Sequence, residues 1–159
     1  MLRIRSIIAV MVQWLRLYIL KKRGYDIGAN TIIERNIMLD KVYPKGIHIG
    51  SGCLIASGVT ILTHDHCKRT GTSLLDCYMT ETYIGDRCFL AVGSIVMYGV
   101  KIGDDCIVGA GAVVTKDVPS GCIVAGNPAR IIRKGIKMTN RAELVNWNPA
   151  DGFIGTEKV

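Results

Sequence analysis

Residues 84–118 read IGDRCFLAVGSIVMYGVKIGDDCIVGAGAVVTKDV, and an aliphatic residue returns at every sixth position. The aliphatics of this stretch are Ile84, Leu90, Val96, Ile102, Val108 and Val114. Earlier runs keep the same step, at Ile27 and Ile33 and again at Ile49, Ile55 and Ile61. A fixed six-residue period is typical of a parallel β-helix, in which each repeat packs on the next.

The period also predicts which residues point inward. Three hexapeptides make one triangular coil of about eighteen residues, and stacked coils pair as parallel strands about 4.8 Å apart. A small or β-branched residue stands two positions ahead of many aliphatics, as at Cys53, Cys88 and Cys106. Because the sequence has no cleavable signal, we expect these cysteines to be small buried residues in a reducing compartment.

Departures from the period divide the chain into three parts. Residues 1–23 form an apolar and basic segment that predicts a helix, and residues 24–134 carry the repeat. Residues 135–159 predict a short tail, either helical over 140–147 or irregular. Within the repeat, residues 40–48 break the phase and the loop 63–82 abandons it. A long insertion in a regular solenoid is usually functional, so we expect the functional loop at 63–82.

The N-terminal segment leaves three alternatives open. Residues 6–20 are apolar except for Ser6, Gln13 and Arg16, and basic residues flank them. The stretch is short for a membrane span, and Arg16 argues against spanning. One alternative is a helix that packs on the coil or on a neighbouring subunit. A second is a helix that lies on a membrane surface as a peripheral contact. The third, a spanning anchor, agrees least with the length of the stretch.

The net charge of +7 fits a solvated basic surface or an anionic ligand. Nucleic acid is not an expected partner, because no basic run is interleaved with aromatic residues and no helix-turn-helix or zinc-finger spacing is present. A zinc site using Cys67 and Cys77 fits no common ligand spacing. We expect no metal ion.

The repeat, the run from Gly109 to Pro119 and the segment 124–130 (VAGNPAR) resemble the hexapeptide-repeat acyltransferases over about residues 25–134. The resemblance implies an all-β fold, a left-handed parallel β-helix, with acetyl-CoA as acyl donor. It also implies a homotrimer with active sites between subunits. The motifs are most similar to those of maltose, galactoside and capsular-polysaccharide O-acetyltransferases.

That resemblance implies transfer of an acetyl group to a sugar hydroxyl of a polysaccharide, lipopolysaccharide or small saccharide. Two alternatives remain: N-acetylation of an amino sugar or sugar nucleotide, and a non-catalytic scaffold. The expected location is the cytoplasm, including the inner face of the membrane.

Transfer to a hydroxyl requires a base, and histidine suits that role near neutral pH. His64 and His66 stand in the run Thr63-His64-Asp65-His66, where the loop leaves the repeat. In the family, the catalytic histidine lies five residues after the inward aliphatic before the loop, and counting from Ile61 gives His66. His64 is the alternative base. Asp65 is expected to bind the acceptor or to orient a histidine of the adjacent subunit.

The resemblance also implies a coenzyme A site. The backbone N–H of Val92 would contact the thioester oxygen, and the backbone of Ala110 would contact the pantetheine arm. Arginine and lysine are the side chains suited to phosphate groups. The residues expected at the adenine and phosphate end are Thr115, Lys116, Arg130 and Arg133; for the two arginines, a solvated strand face is the alternative.

Overall fold

The structure is a computed structural model that describes residues 2–69, 71, 73 and 76–145. Within these residues, helix α1 spans Leu2–Lys22 and sixteen short strands follow it. The first coils contain β1 (Asp26–Ile27), β2 (Ile32–Ile33), β3 (Met38–Leu39), β4 (Ile47–Ile49), β5 (Leu54–Ile55) and β6 (Thr60–Ile61). The loop contains β7 (His64–Arg69) and β8 (Cys77–Met79). The later coils contain β9 (Thr82–Ile84), β10 (Phe89–Leu90), β11 (Ile95–Val96), β12 (Lys101–Ile102), β13 (Ile107–Val108), β14 (Val113–Val114), β15 (Cys122–Ala125) and β16 (Arg130–Lys134).

The coil strands stack into three parallel sheets, which form the faces of a triangular prism. Face A has the order β1-β4-β9-β12, and face C has the order β3-β6-β11-β14. Face B runs β2-β5-β10-β13-β15 and is closed at its end by β16, which pairs antiparallel with β15. This architecture confirms the predicted left-handed parallel β-helix.

The predicted inward residues stack in register from coil to coil. On face B, for example, Ile33 pairs with Ile55, which pairs with Leu90 and onward to Val108 and Val124. Every residue of this stack is no more than 2% exposed. The apolar column therefore runs along the whole axis and is the main source of stability, because burial of aliphatic surface is the dominant favourable term in folding.

On face A, glycine follows the inward isoleucine because the coils approach closely at the corner between faces A and B. A Cβ placed on Gly50 would lie 2.6 Å from the carbonyl carbon of Gly85. A Cβ on Gly85 would lie 2.7 Å from the carbonyl carbon of Gly103. No side chain fits at such distances, so the Ile-Gly pairs of the sequence mark this corner.

The cysteines at the small inward position form a buried stack between faces A and B. The thiol of Cys53 donates to the carbonyl of Gly85 at 3.1 Å, and that of Cys88 donates to the carbonyl of Gly103 at 3.1 Å. Hydrogen bonding to Cys106 and Cys53, together with burial, raises the pKa of the Cys88 thiol. The prediction that Cys53, Cys88 and Cys106 are buried is confirmed.

We expect one thiol per chain to react rapidly with DTNB under native conditions. All six cysteines are unpaired, and Cys67 on β7 is exposed whereas the other five are buried. A buried thiol is protected because the attacking thiolate must be accessible. Cys67→Ser should abolish the fast phase, and denaturant should release the remaining thiols. Fast reaction of two or more thiols in the native protein would contradict this assignment.

Two insertions interrupt the coils at the corner between faces C and A. In the first, Pro44–Gly46 form a 3-10 helix that lengthens the turn between β3 and β4. In the second, β7 and β8 pair as an antiparallel hairpin that projects from the same corner one coil later. Both insertions therefore add side chains to one edge of the prism.

The described part of the C-terminal segment is irregular rather than helical. A single antiparallel bridge joins Met138 to Leu144, and Ile136, Met138 and Ala142 pack in a small second core with Ile123. The helix expected as one alternative for 140–147 does not form over 140–145, because these residues instead fold back on face B. Residues 146–159, including Trp147, lie outside the described residues.

Helix α1 covers the N-terminal end of the prism. Leu17 and Leu20 pack against the main core, and the Nη1 of Arg16 donates to the carbonyl of Ile33 at 2.8 Å. Because β2 is an edge strand with unpaired backbone groups, a polar side chain of the helix can satisfy them. No helix in the described part of the chain is both long and apolar enough to cross a bilayer.

Candidate active site

Both loop histidines lie on one face of β7. Successive residues of a strand point to opposite faces, so the order His64-Asp65-His66 places the two imidazoles together and the carboxylate opposite them. The ring centroids of His64 and His66 are 4.7 Å apart, with the rings nearly perpendicular at 84°. The His64 ring is mostly buried, whereas His66 is exposed.

His64 is anchored by a buried carboxylate from the preceding coil. Its Nδ1 hydrogen-bonds to Oδ2 of Asp40, whose side chain is 2% exposed. Asp40 also accepts the backbone N–H of Thr63 at 2.8 Å and that of Val42 at 2.9 Å. Burial alone would raise the pKa of the Asp40 carboxyl, but these hydrogen bonds outweigh it and lower the pKa below its usual value. Asp40 is therefore ionised near neutral pH, and its pairing with Nδ1 fixes the His64 ring.

Buried threonines fix the base of the loop to the coil. The hydroxyl of Thr63 donates to the carbonyl of Tyr43 at 3.1 Å, and that of Thr82 donates to the carbonyl of Leu62 at 2.6 Å. The Thr80 N–H closes the hairpin by donating to the carbonyl of Thr63 at 2.8 Å. The start of β7 is thus held rigidly, which limits the positions available to His64.

Asp65 faces a different environment from the two histidines. Its carboxylate accepts the Tyr98 hydroxyl at 2.6 Å and the Cys67 backbone N–H at 2.8 Å. The hydrogen bond from Tyr98 is the main reason that the pKa of Asp65 is lowered, and it also raises the pKa of Tyr98. The carboxylate thus ties the hairpin to the third coil.

Val92 and Ala110 lie at a different corner, between faces B and C. The two positions stack on successive coils, because the Gly111 N–H donates to the Val92 carbonyl at 2.9 Å. Val92 is 58% exposed. Its N–H finds no acceptor among the residues that the structure describes. This N–H can therefore serve a bound oxygen atom.

The basic residues expected at the phosphate end lie near the C-terminal end of the coil. Lys116 and Arg130 line one cleft of about 330 Å³ together with apolar side chains that include Val114 and Ala129. Thr115 is exposed beside Lys116, and Arg133 is exposed on the same strand as Arg130. Asp117 also lines this cleft, so the two cations face one carboxylate. The remaining positive charge and the apolar lining suit an anionic group on an apolar or aromatic body.

One chain does not bring all these residues together. The histidines project from the corner between faces C and A, whereas Val92 and Ala110 occupy the corner between faces B and C. The two sets therefore lie at opposite edges of face C. Among the described residues, no group of three or more His, Cys, Asp or Glu is arranged to hold a metal ion.

Asp40 is the residue that sequence reasoning missed. It lies 24 positions before His64 and belongs to no motif. The available signal was the break in the period that begins at Asp40, because an insertion at one corner places side chains beside the corner of the next coil.

Comparisons with known proteins match the repeat. The family model for the bacterial transferase hexapeptide (six repeats) matches residues 81–116, and that for the hexapeptide repeat of succinyl-transferase matches residues 26–63. A Bacillus subtilis (strain 168) protein named as an acetyltransferase, YvoF, is 33% identical over 131 residues, which cover 82% of this chain and 71% of that protein.

Solved structures agree with the sequence matches. A hexapeptide-repeat acetyltransferase of Vibrio cholerae O1 biovar eltor, solved with acetyl-coenzyme A, has 30% identity and a TM-score of 0.62, covering 70% of this chain and 60% of that one. A galactoside acetyltransferase in complex with coenzyme A has 27% identity and a TM-score of 0.59, covering 75% of this chain and 69% of that one. The repeat, the β-helix and these similarities together establish that the chain belongs to the hexapeptide-repeat acetyltransferase family.

Proposed function

We propose that the protein transfers an acetyl group from acetyl-CoA to a sugar hydroxyl, with His66 as general base and no covalent acetyl-enzyme. The observation that carries this proposal is the pair of histidines at the base of the loop, backed by the buried carboxylate of Asp40. The Asp40 carboxylate holds the His64 imidazole in one orientation, and the His66 ring packs against that imidazole. The complexes of the similar structures with acetyl-CoA and coenzyme A support the donor.

The transfer is a single acyl exchange. The imidazole of His66 accepts the proton of the acceptor hydroxyl while the hydroxyl oxygen bonds to the thioester carbonyl carbon. The resulting tetrahedral oxyanion accepts a hydrogen bond from the Val92 N–H, which has no acceptor among the described residues. The carbon–sulfur bond then breaks, and the thiolate of coenzyme A takes the proton from His66. The products are the acetyl ester and free coenzyme A.

The role proposed for His64 is to position His66. Asp40 fixes the His64 ring through Nδ1, and the perpendicular packing of the two rings restricts the orientation of His66. His66 is the more exposed of the two and so is the more accessible to an acceptor that arrives from solvent. Asp65, held by Tyr98, remains a candidate for contact with the acceptor at the other face of β7.

The proposed active unit is a homotrimer. Closed threefold symmetry would place the B–C corner of one subunit against the C–A corner of the next. The Val92 and Ala110 positions of one chain would then face His66 of another. Lys116, Arg130 and Arg133, with Thr115, would bind the phosphate and adenine end of coenzyme A, since they lie beside the 330 Å³ cleft or on the strand that borders it.

The proposed acceptor is a saccharide of the kind built in the cytoplasm or at its membrane. The galactoside acetyltransferase is a similar protein with a sugar acceptor in its name. The alternative is an amino sugar or sugar nucleotide acetylated on nitrogen, because the same base could deprotonate an ammonium group.

A thiol-release assay tests the function directly. The full chain is incubated with acetyl-CoA and separate panels of neutral sugars, amino sugars and sugar nucleotides, and the coenzyme A released is measured together with the acetylated product. Turnover with a neutral sugar supports O-transfer. Turnover only with amino sugars moves the function to N-acetylation. If calorimetry shows no binding of acetyl-CoA, the result would instead support the alternative that the protein is a non-catalytic scaffold.

Arg130→Ala is expected to weaken binding of coenzyme A by about tenfold, because one charge-assisted contact to a phosphate is lost. The KM for acetyl-CoA should rise while kcat stays unchanged, since the phosphates lie far from the reacting carbonyl. Arg141→Ala is the matched control, because it removes an exposed arginine of the C-terminal segment, away from the B–C corner. An equal KM in the two variants would remove Arg130 from the proposed site.

A further inference from the structure

Helix α1 turns its mid-helix polar side chains toward the protein. Arg16 donates to the carbonyl of Ile33, and the amide of Gln13 lies against the backbone of Thr31 and Ile33. Leu17 and Leu20 are the apolar side chains that join them on this inner side. The exposed edge of β2 explains the arrangement, because its backbone groups need polar partners.

The opposite side of the helix is apolar and exposed. A helix on a protein surface normally carries charged and polar residues on its outward side. In α1 this distribution of polar and apolar residues is reversed. Met11 is 64% exposed and Trp14 is 68% exposed. We define the outer face of α1 by its exposed large apolar residues: Ile8, Val10, Met11, Val12, Trp14, Leu15, Tyr18 and Ile19. A continuous apolar patch of this kind indicates a surface that another phase or molecule covers.

Positive charge is concentrated in the same segment. Residues 1–23 contain six Lys or Arg and no Asp or Glu, whereas residues 24–159 contain 14 basic and 13 acidic residues. Lys21, Lys22 and Arg23 are exposed at the end of the helix, and the Nζ of Lys22 lies 5.6 Å from the centre of the Tyr18 ring. The segment therefore carries nearly all of the excess charge of the protein, and three of its cations, Lys21, Lys22 and Arg23, are exposed where the outer face ends.

We propose that the outer face of α1 binds the surface of an anionic phospholipid bilayer, with the helix lying in the plane of the interface. Apolar side chains would enter the boundary between headgroups and acyl chains, while the basic residues meet lipid phosphates. Trp14 and Tyr18 stack with ring centroids 5.8 Å apart. Tryptophan and tyrosine are the residue types that prefer this boundary. This inference does not depend on the proposed acetyl transfer.

A second copy of the chain is the competing occupant. Packing the outer faces of two helices together would also bring together two segments that each contain exposed cations at Lys21, Lys22 and Arg23 and no acidic residue. Such like-charge contact opposes association, whereas an anionic surface neutralises the same charges. The charge distribution therefore favours lipid over self-association.

Vesicle binding of the full chain tests the proposal. In a Trp147→Phe background, Trp14 is the remaining tryptophan and reports on the outer face. We expect co-sedimentation and a blue shift of Trp14 emission with vesicles of phosphatidylcholine and phosphatidylglycerol. Binding to phosphatidylcholine alone should be about 100-fold weaker, as three juxtamembrane cations imply. High salt should weaken binding to the anionic vesicles.

Two sets of substitutions separate lipid binding from other outcomes. The triple variant Lys21→Glu, Lys22→Glu, Arg23→Glu should lose vesicle binding, and Met11→Gln with Leu15→Gln should weaken it. The matched control Lys101→Glu, Lys137→Glu, Arg141→Glu makes the same charge change at exposed sites elsewhere and should bind normally. Equal loss in both triple variants would overturn the proposal, as would absence of binding to anionic vesicles. A Trp14 already shielded without lipid, with a smaller oligomer in the Met11/Leu15 variant, would assign the outer face to a subunit contact instead.

Discussion

His66→Ala is expected to lower kcat for acetyl transfer by about 10²–10⁴-fold, which is the usual contribution of a positioned general base. Without the imidazole, the acceptor hydroxyl must lose its proton to water as it attacks the thioester. Binding of acetyl-CoA should be unchanged, because the proposed phosphate contacts lie at the far end of the coil. Thiol-release kinetics and calorimetry measure the two quantities separately.

The other two histidines provide the controls. His48→Ala should keep full activity: His48 also has a carboxylate neighbour, with its Nδ1 3.0 Å from Asp26, but it lies on face A and stacks on Tyr83. His64→Ala and Asp40→Asn should lower kcat by a smaller factor than His66→Ala, since they act through the orientation of His66. If His66→Ala remains active while His64→Ala is inactive, the base is His64, with Asp40 as its orienting carboxylate.

Ile33→Ala is expected to lower the free energy of unfolding by about 2–5 kcal/mol, the usual range for removing a buried isoleucine side chain. Ile33 is 0% exposed and stacks on Ile55 within the continuous apolar column. The cavity cannot close fully, because the backbone of β2 is held by hydrogen bonds to the next coil. Thermal unfolding followed by circular dichroism should show a midpoint lower by roughly 4–20 °C.

Ile32→Ala provides a control of identical chemistry at the adjacent position. Ile32 belongs to the same strand but points outward and is 46% exposed. Its loss should cost less than about 1 kcal/mol, as for most surface substitutions. Similar destabilisation by the two variants would contradict the assignment of inward and outward positions along the repeat.

The sequence predicted the coil well because burial in a β-helix is a local property of the period. Leu90 and Val108 lie three repeats apart along the chain, so their stacking follows from the six-residue period alone. The Ile-Gly pairs have a similar basis, because every coil makes the same close approach at the same corner. The positions of His64 and His66 on one side of β7 follow equally from the two-residue period of a strand.

The candidate site was only partly predictable, because its parts come from different coils and corners. Asp40 meets His64 across 24 residues, and the contact exists because both insertions emerge at the corner between faces C and A. Asp65 accepts a hydrogen bond from Tyr98 of the third coil, and no local pattern indicates this pairing. The separation of Val92 from the histidines likewise depends on the assembled coils, because the two sets lie at different corners.

The sequence by itself determined the β-helix, its register, its buried cysteines and the loop that carries the histidines, since each depends on spacing along the chain. Only the tertiary structure decided how helix α1 is oriented and which carboxylate pairs with His64. The physical reason is the same in both cases. Gln13 and Arg16 face inward because they hydrogen-bond to the unpaired edge of β2, and the apolar side of the helix is therefore exposed. Asp40 pairs with His64 because both side chains lie at the same buried corner. Buried polar groups need hydrogen-bond partners, and which residues supply them depends on the assembled coil. Which aliphatic residues point inward depends only on the six-residue period.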